Sequence, residues 1–185
     1  YLGSIYKDIS NVEEALKNFF FALKIAKEIE DNQKIYEIIE HISDIEIMKG
    51  EINLVKEKYQ KVIEFARNSS DRRIEGKFLA KLGFIFMEQG DYIAAGDYYF
   101  QALKIFREIN SPTEIIVQLL NAGGNYRNQK EFAQSILCYE EAISIAKQID
   151  DKKKLNISLY NLGLSLLDFK EVARAKKIFN QELKI

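Results

Sequence analysis

The sequence predicts an all-α protein, a solenoid of antiparallel helix hairpins. Three observations carry this prediction. Residue types recur at a fixed step of 40 residues from one end of the 185-residue chain to the other. Within each step the apolar residues follow helical spacing, as in Phe78, Leu79, Leu82, Ile85, Phe86 and then Tyr92, Ala95, Tyr99, Ala102, Leu103, Phe106. The chain also holds one proline, so little interrupts long helices.

The repeat is anchored on Leu82-Gly83, with Ala122-Gly123 and Leu162-Gly163 downstream and Ile42-Ser43 and Leu2-Gly3 upstream. In the same register stand Ala15, Val55, Ala95, Ser135 and Ala175, and then the aromatics Phe19, Tyr59, Tyr99, Tyr139 and Phe179. A small residue in the first helix lets the second approach its backbone closely. A small residue in the facing helix does the same, and the aromatic is expected to fill the gap between one hairpin and the next.

Taken in order, residues Tyr1 to Lys7 read as the remnant of a first helix and Ser10-Asn11 as a turn. Val12 to about Glu30 is its partner, closed by Asp31-Asn32. Gln33 to Lys49 and Ile52 to Arg67 form the next hairpin around Gly50. Asn68 to Asp71 is a connection expected to be mobile. Arg72 to Gln89 and Tyr92 to Ile109 follow, turning at Gly90-Asp91. Ser111 is expected to N-cap a helix with Pro112 at its first position. Thr113 to Gln129 and Phe132 to Ile149 make a fourth pair. A helix capped by Asp150-Asp151 runs to about Phe169, and Val172 to Ile185 completes the chain. The repeats are therefore 1–31 (partial), 32–71, 72–111, 112–151 and 152–185 (partial), within a single solenoid. Both partial ends lack a polar capping helix, so the chain is expected to be a slice of a longer protein.

The pattern L-G-x-x-Y/F followed by A-x-x-x-Y/F-x-x-A resembles the tetratricopeptide repeat, whose usual period is about 34 residues. At 40 residues this chain is similar to the extended-helix branch of that family, as in kinesin light chains and bacterial signalling proteins. Ile39, Leu79, Leu119 and Leu159 replace the usual Trp, and Lys27, Arg67, Arg107 and Lys147 stand where a Pro often ends the second helix. Repeat two departs most, with Ser43 for Gly and Glu46 where an aromatic is expected. The resemblance implies a right-handed α-α superhelix whose first helices line a concave groove for an extended peptide or a helix.

Composition narrows the function. A net charge of −1, from 27 basic and 28 acidic residues, supplies no electrostatic argument for nucleic acid or an anionic membrane. No apolar run approaches the ~20 residues that a membrane-spanning helix needs, no signal peptide is visible, and a cytoplasmic location is the expectation. Cys138 is the sole cysteine, which precludes an intrachain disulfide and a Cys-based metal site. No metal, cofactor or catalytic residue is expected. The one histidine, His41, lies among Glu37, Glu40 and Asp44, yet nothing else supplies a nucleophile or phosphate loop, and Gly123-Gly124 carries no nucleotide fingerprint.

Carried over position by position, the resemblance puts Glu37, His41, Asp44, Lys77, Lys81, Phe84, Asn121, Arg127, Asn161 and Leu164 on the groove wall. Ser4, Lys7, Ile47, Met87, Val117, Gly124, Ile157 and Leu167 fall at equivalent places. Asn121 and Asn161 can hold a peptide backbone through paired amides or simply be solvated. Lys77 and Lys81, four apart on one face, together with Arg127 suit an acidic peptide, or else pair with neighbouring repeats. Ala80, Phe84 and Ile157 stand where a clamp for a chaperone's C-terminal carboxylate needs polar or cationic groups, which argues against that ligand. Phe20 and Phe100 occupy a column that is otherwise Gln60, Glu140 and Asn180, which suits either a contact surface on the convex side or packing against a further part of the protein. The expected partner is a protein or peptide. Homo-oligomers through the truncated ends or the Phe patch are the other expectation. Two roles follow, a passive adaptor or the sensor region of a larger signalling protein, with an enzyme a distant third.

Overall fold

The computed structural model describes the backbone of residues 9–182 and the side chains of residues 12–180. The expectations on Leu2, Gly3, Ser4, Lys7 and Ile185 lie outside the described residues. Among the described residues there are nine helices: α1 (Ile9–Glu28), α2 (Asn32–Met48), α3 (Ile52–Asn68), α4 (Arg72–Glu88), α5 (Tyr92–Glu108), α6 (Pro112–Asn128), α7 (Phe132–Gln148), α8 (Lys152–Asp168) and α9 (Val172–Glu182). Ser10 and Asn11, read as a turn, lie within α1.

Every connection is the same three-residue turn. Its middle residue is left-handed, at Glu30, Gly50, Ser70, Gly90, Asn110, Lys130, Asp150 and Lys170, with φ between 51° and 80°. The next N–H then reaches back five residues, as from Asp91 to the Phe86 carbonyl at 3.0 Å and from Glu131 to Tyr126 at 2.9 Å, which closes the helix in a Schellman motif. That same residue begins the following helix. Asp31, Asp71, Asp91 and Asp151 accept from the N–H three residues on, at 2.9–3.1 Å. Asp151 therefore caps α8, while Asp150 is the left-handed residue before it. Ser111 takes the N-cap position of α6 ahead of Pro112, but its hydroxyl donates to Glu114 at 2.9 Å and accepts from Arg73 at 2.8 Å instead of capping. The connection at 69–71 has the same form as the others.

Two compact units, residues 1–58 and 59–185, divide the chain. In the first, Ala26, Ile38 and Ile42 are buried against Leu16, Phe19, Leu23 and Ile35 of α1 and α2. Glu46, the expected aromatic position, is buried and ion-paired with Lys58.

In the second unit the small-residue column works within each hairpin. A Cβ on Gly83, Gly123 or Gly163 would lie 2.8, 2.6 or 2.4 Å from the ring of Tyr99, Tyr139 or Phe179. The aromatic thus lies on the glycine of its own hairpin, a shorter reach than the expected span to the next one. At Tyr59 the ring also meets the following hairpin, edge-on to Phe78 at 5.1 Å and 81°. Buried clusters join successive hairpins: Leu103, Ile116, Leu119, Ala142 and Ala146, then Ile136, Tyr139, Ile143, Leu159, Leu162 and Leu166.

The stack curves. First helices touch, α4 with α6 and α6 with α8, whereas among the described residues no comparable approach joins α5 to α7 or α7 to α9. The first helices therefore form the inner face and the second helices splay on the outer one. Long side chains span the outer gaps: Arg107 to Glu141 at 2.6 Å from α5 to α7, and Arg174 to Glu140 from α9 to α7.

Candidate functional site

In the first unit, the side chains at Glu37, His41 and Asp44 recur at helical spacing along one face of α2. Glu37 accepts hydrogen bonds from Gln33 at 3.0 Å and Lys34 at 2.9 Å. The bond to Glu37, then its charge, holds the Lys34 ammonium above its ordinary pKa. His41 is exposed and stacks on Phe19, with centroids 5.3 Å apart and planes 16° apart. Asp44 is exposed. Among the described residues no group of three or more His, Cys, Asp or Glu is arranged to hold a metal ion.

In the second unit, the inner face runs across α4, α6 and α8. Lys77 and Lys81 are half-buried on α4, and Phe84, one turn on, is exposed. Asn121 on α6 donates to Gln118 of its own helix at 3.3 Å, and Asn161 on α8 donates to the Ile157 carbonyl at 2.9 Å. Each amide thus spends a donor on its own helix while its carbonyl oxygen stays available. Arg127 bonds Asp168 of α8 at 2.6 Å, which is the pairing between neighbouring repeats. Leu164 is half-buried, and Val117 of α6 and Ile157 and Leu167 of α8 are exposed.

Gly124, which the register puts at a groove-wall position, has a property that the sequence did not disclose. It occupies the column of Asp44, Phe84 and Leu164. A Cβ there would meet only the Tyr139 hydroxyl, at an ordinary 3.7 Å. Packing therefore does not require glycine at 124 as it does at 123. A glycine inside a helix costs about 1 kcal/mol relative to alanine, and here it leaves a notch of bare backbone flanked in register by Phe84 and Leu164.

Phe20 and Phe21 on α1, Ile93 and Phe100 on α5 and Leu137 on α7 are exposed. Of these, Leu137 was legible as a break in a polar column, since it stands where Lys17, Glu57, Asp97 and Lys177 do. Cys138 is half-buried, and burial, followed by the charge of Glu141, raises its thiol pKa to about 11.

A family model described as a tetratricopeptide repeat matches residues 119–149, the hairpin of α6 and α7. Solved structures agree over nearly the whole chain. The crystal structure of BtubC (BKLC) from P. vanneervenii superposes with a TM-score of 0.85 at 18% identity, covering 94% of this chain and 73% of that one. The chain is a tetratricopeptide-like helical repeat solenoid. Two further structures of this kind are similar to it. A putative kinesin light chain of Podosopora anserina gives a TM-score of 0.74 at 12% identity, covering 99% of this chain and 90% of that one. A signal transduction ATPase of Pyrococcus horikoshii, described as having a tetratricopeptide repeat sensor, gives 0.79 at 19% identity; 99% of this chain matches 28% of that protein. No curated protein sequence matches the chain.

Proposed function

We propose that this tetratricopeptide-like solenoid is a non-catalytic protein-interaction module. It binds a peptide or helix of a partner protein along the inner face of α4, α6 and α8. The observation that carries this reading is the Gly124 notch. It sits on an inner face with exposed Phe84, Val117, Ile157 and Leu167, at a helix-interior position where no packing demands glycine. An open place bordered by apolar side chains suits a bulky apolar anchor from the partner, since such anchors carry most interface energy. Lys77 and Lys81 on α4 favour acidic residues at that end of the ligand.

The test uses a photocrosslinking residue, benzoylphenylalanine, at Val117 on the inner face or at Leu137 on the outer face, irradiated in cell lysate. Crosslinks are expected from position 117 and are expected to disappear in Gly124→Leu, with the circular dichroism unchanged. Crosslinks from position 137 alone, or crosslinks that persist in Gly124→Leu, refute the inner-face reading.

A second reading has one observation in its favour, the likeness to a signalling ATPase described by its repeat sensor. In that reading, ligand binding shifts the curvature of the stack and so the state of an attached output domain. A DNA-binding, kinase or cyclase segment adjoining this chain in the full-length protein favours it; flanks made only of further repeats weigh against it.

A further inference from the structure

Splayed outer helices leave gaps, and the gaps are not filled alike. An ion pair crosses from α5 to α7 and another from α9 to α7. Between α3 and α5 the equivalent cation is Arg67, forty residues before Arg107. It turns inward to Glu75, at 2.7 Å, a carboxylate only 3% exposed that Arg72 also holds. The equivalent acceptor is missing as well, because Gln101 stands where the next repeat has Glu141. Ala94 stands where that repeat has Gln134, and Asp97 where it has Leu137. A cleft of about 500 Å³ opens there.

The cleft has a distinct chemistry. Its floor is apolar, with Leu79, Leu82 and Phe86 of α4, and Phe86 stacks on Tyr98 at 5.3 Å and 14°. Glu64 lines it from α3 and Asp97 from α5. Both carboxylates are exposed, and neither takes part in an ion pair or hydrogen bond among the described residues. Arg67 and Arg72 are balanced by Glu75 and Glu108. The uncompensated charge at the cleft is therefore that of Glu64 and Asp97.

We propose that this outer cleft binds an arginine side chain presented by a partner protein. The three-carbon stem lies on the apolar floor. The planar guanidinium faces the carboxylates of Glu64 and Asp97 and the Phe86–Tyr98 rings, and arginine suits such a place because it is weakly hydrated, planar and always charged. The proposal is independent of the inner face.

The probe is acetyl-Ala-Arg-Ala-amide, titrated into the full chain and followed by amide NMR. The control is the same peptide with citrulline, which keeps the shape and removes the charge. Shifts confined to cleft residues of α3, α4 and α5 are expected, with the citrulline peptide at least about threefold weaker, the scale of one exposed ion pair. Asp97→Asn is expected to weaken the arginine peptide about threefold by the same measure. Ala94→Gln with Asp97→Leu, the residues that the next repeat carries at the same places, is expected to abolish binding while the helical signal is unchanged. Absence of shifts in the cleft, equal affinity for the two peptides, or full affinity in Asp97→Asn overturns the proposal.

Discussion

A Cβ on Gly123 would sit 2.6 Å from the Tyr139 ring, whereas one on Gly124 would sit 3.7 Å from its hydroxyl. Adjacent residues of one type thus carry different constraints, and Gly123→Ala is disfavoured by overpacking on the order of 1–3 kcal/mol where Gly124→Ala is not. Burial around the same ring has a pH consequence. It raises the Tyr139 pKa from 10.0 to about 12 and the neighbouring Cys138 thiol from 9.0 to about 11. Both groups are neutral when protonated, so the folded state keeps its proton to higher pH than the unfolded chain. Their stabilising contribution is complete below pH 9 and is lost as pH rises through 11 to 12. The thermal midpoint is therefore expected to hold steady from pH 7 to 9 and fall above it, with a shallower fall in Tyr139→Phe. A flat profile to pH 12 would contradict the burial argument. Glu46 teaches a related lesson. It reads as a defect in an aromatic column, yet it is paired with Lys58, at the places where the next repeat stacks Phe86 on Tyr98. The compensation was in the sequence at position 58, but only the fold shows that the two positions face each other.

Among elements, the 40-residue period resolves into two 20-residue steps, each a 17-residue helix from α2 to α8 followed by the same turn. Gly50 and Gly90 announced the left-handed position in sequence; Glu30, Ser70, Asn110, Lys130, Asp150 and Lys170 did not, because side chains adopt that conformation when the Schellman bonds enforce it. A non-glycine residue there carries a strain of about 1 kcal/mol. Lys130→Gly is accordingly expected to raise stability by about that amount, read as a higher midpoint in urea unfolding. An unchanged or lower midpoint would mean that the lysine side chain contributes contacts that offset the strain. From the start of α2 to the start of α9 the helix boundaries fell within a residue or two of those expected, whereas at Ser10-Asn11 a polar pair typical of turns lies inside α1.

At the scale of the whole molecule, the second unit holds its inner and outer faces differently. First helices meet directly, while α5, α7 and α9 are linked across their gaps by half-exposed ion pairs. Such pairs contribute little, so Arg107→Gln is expected to lower stability by less than about 1 kcal/mol. Thermal melts at low and high salt are expected to differ little for the same reason. A larger loss on either test would show that the outer links, rather than the buried clusters, set the curvature.

The sequence by itself determined the all-α repeat, its period, the antiparallel pairing and the small-residue columns. These depend on local propensity and on apolar spacing, which recur in register and can be compared column by column. It also singled out Phe20 and Phe100, because each interrupts a column that is otherwise polar. Tertiary structure alone decided that Gly123 is required and Gly124 is not, that Arg127 pairs with Asp168, and that Arg67 turns to Glu75 and leaves a cleft open beside α5. Those outcomes rest on distances between residues far apart in the chain. A side chain with two possible partners chooses by geometry, and a periodic sequence offers the same two partners at every repeat.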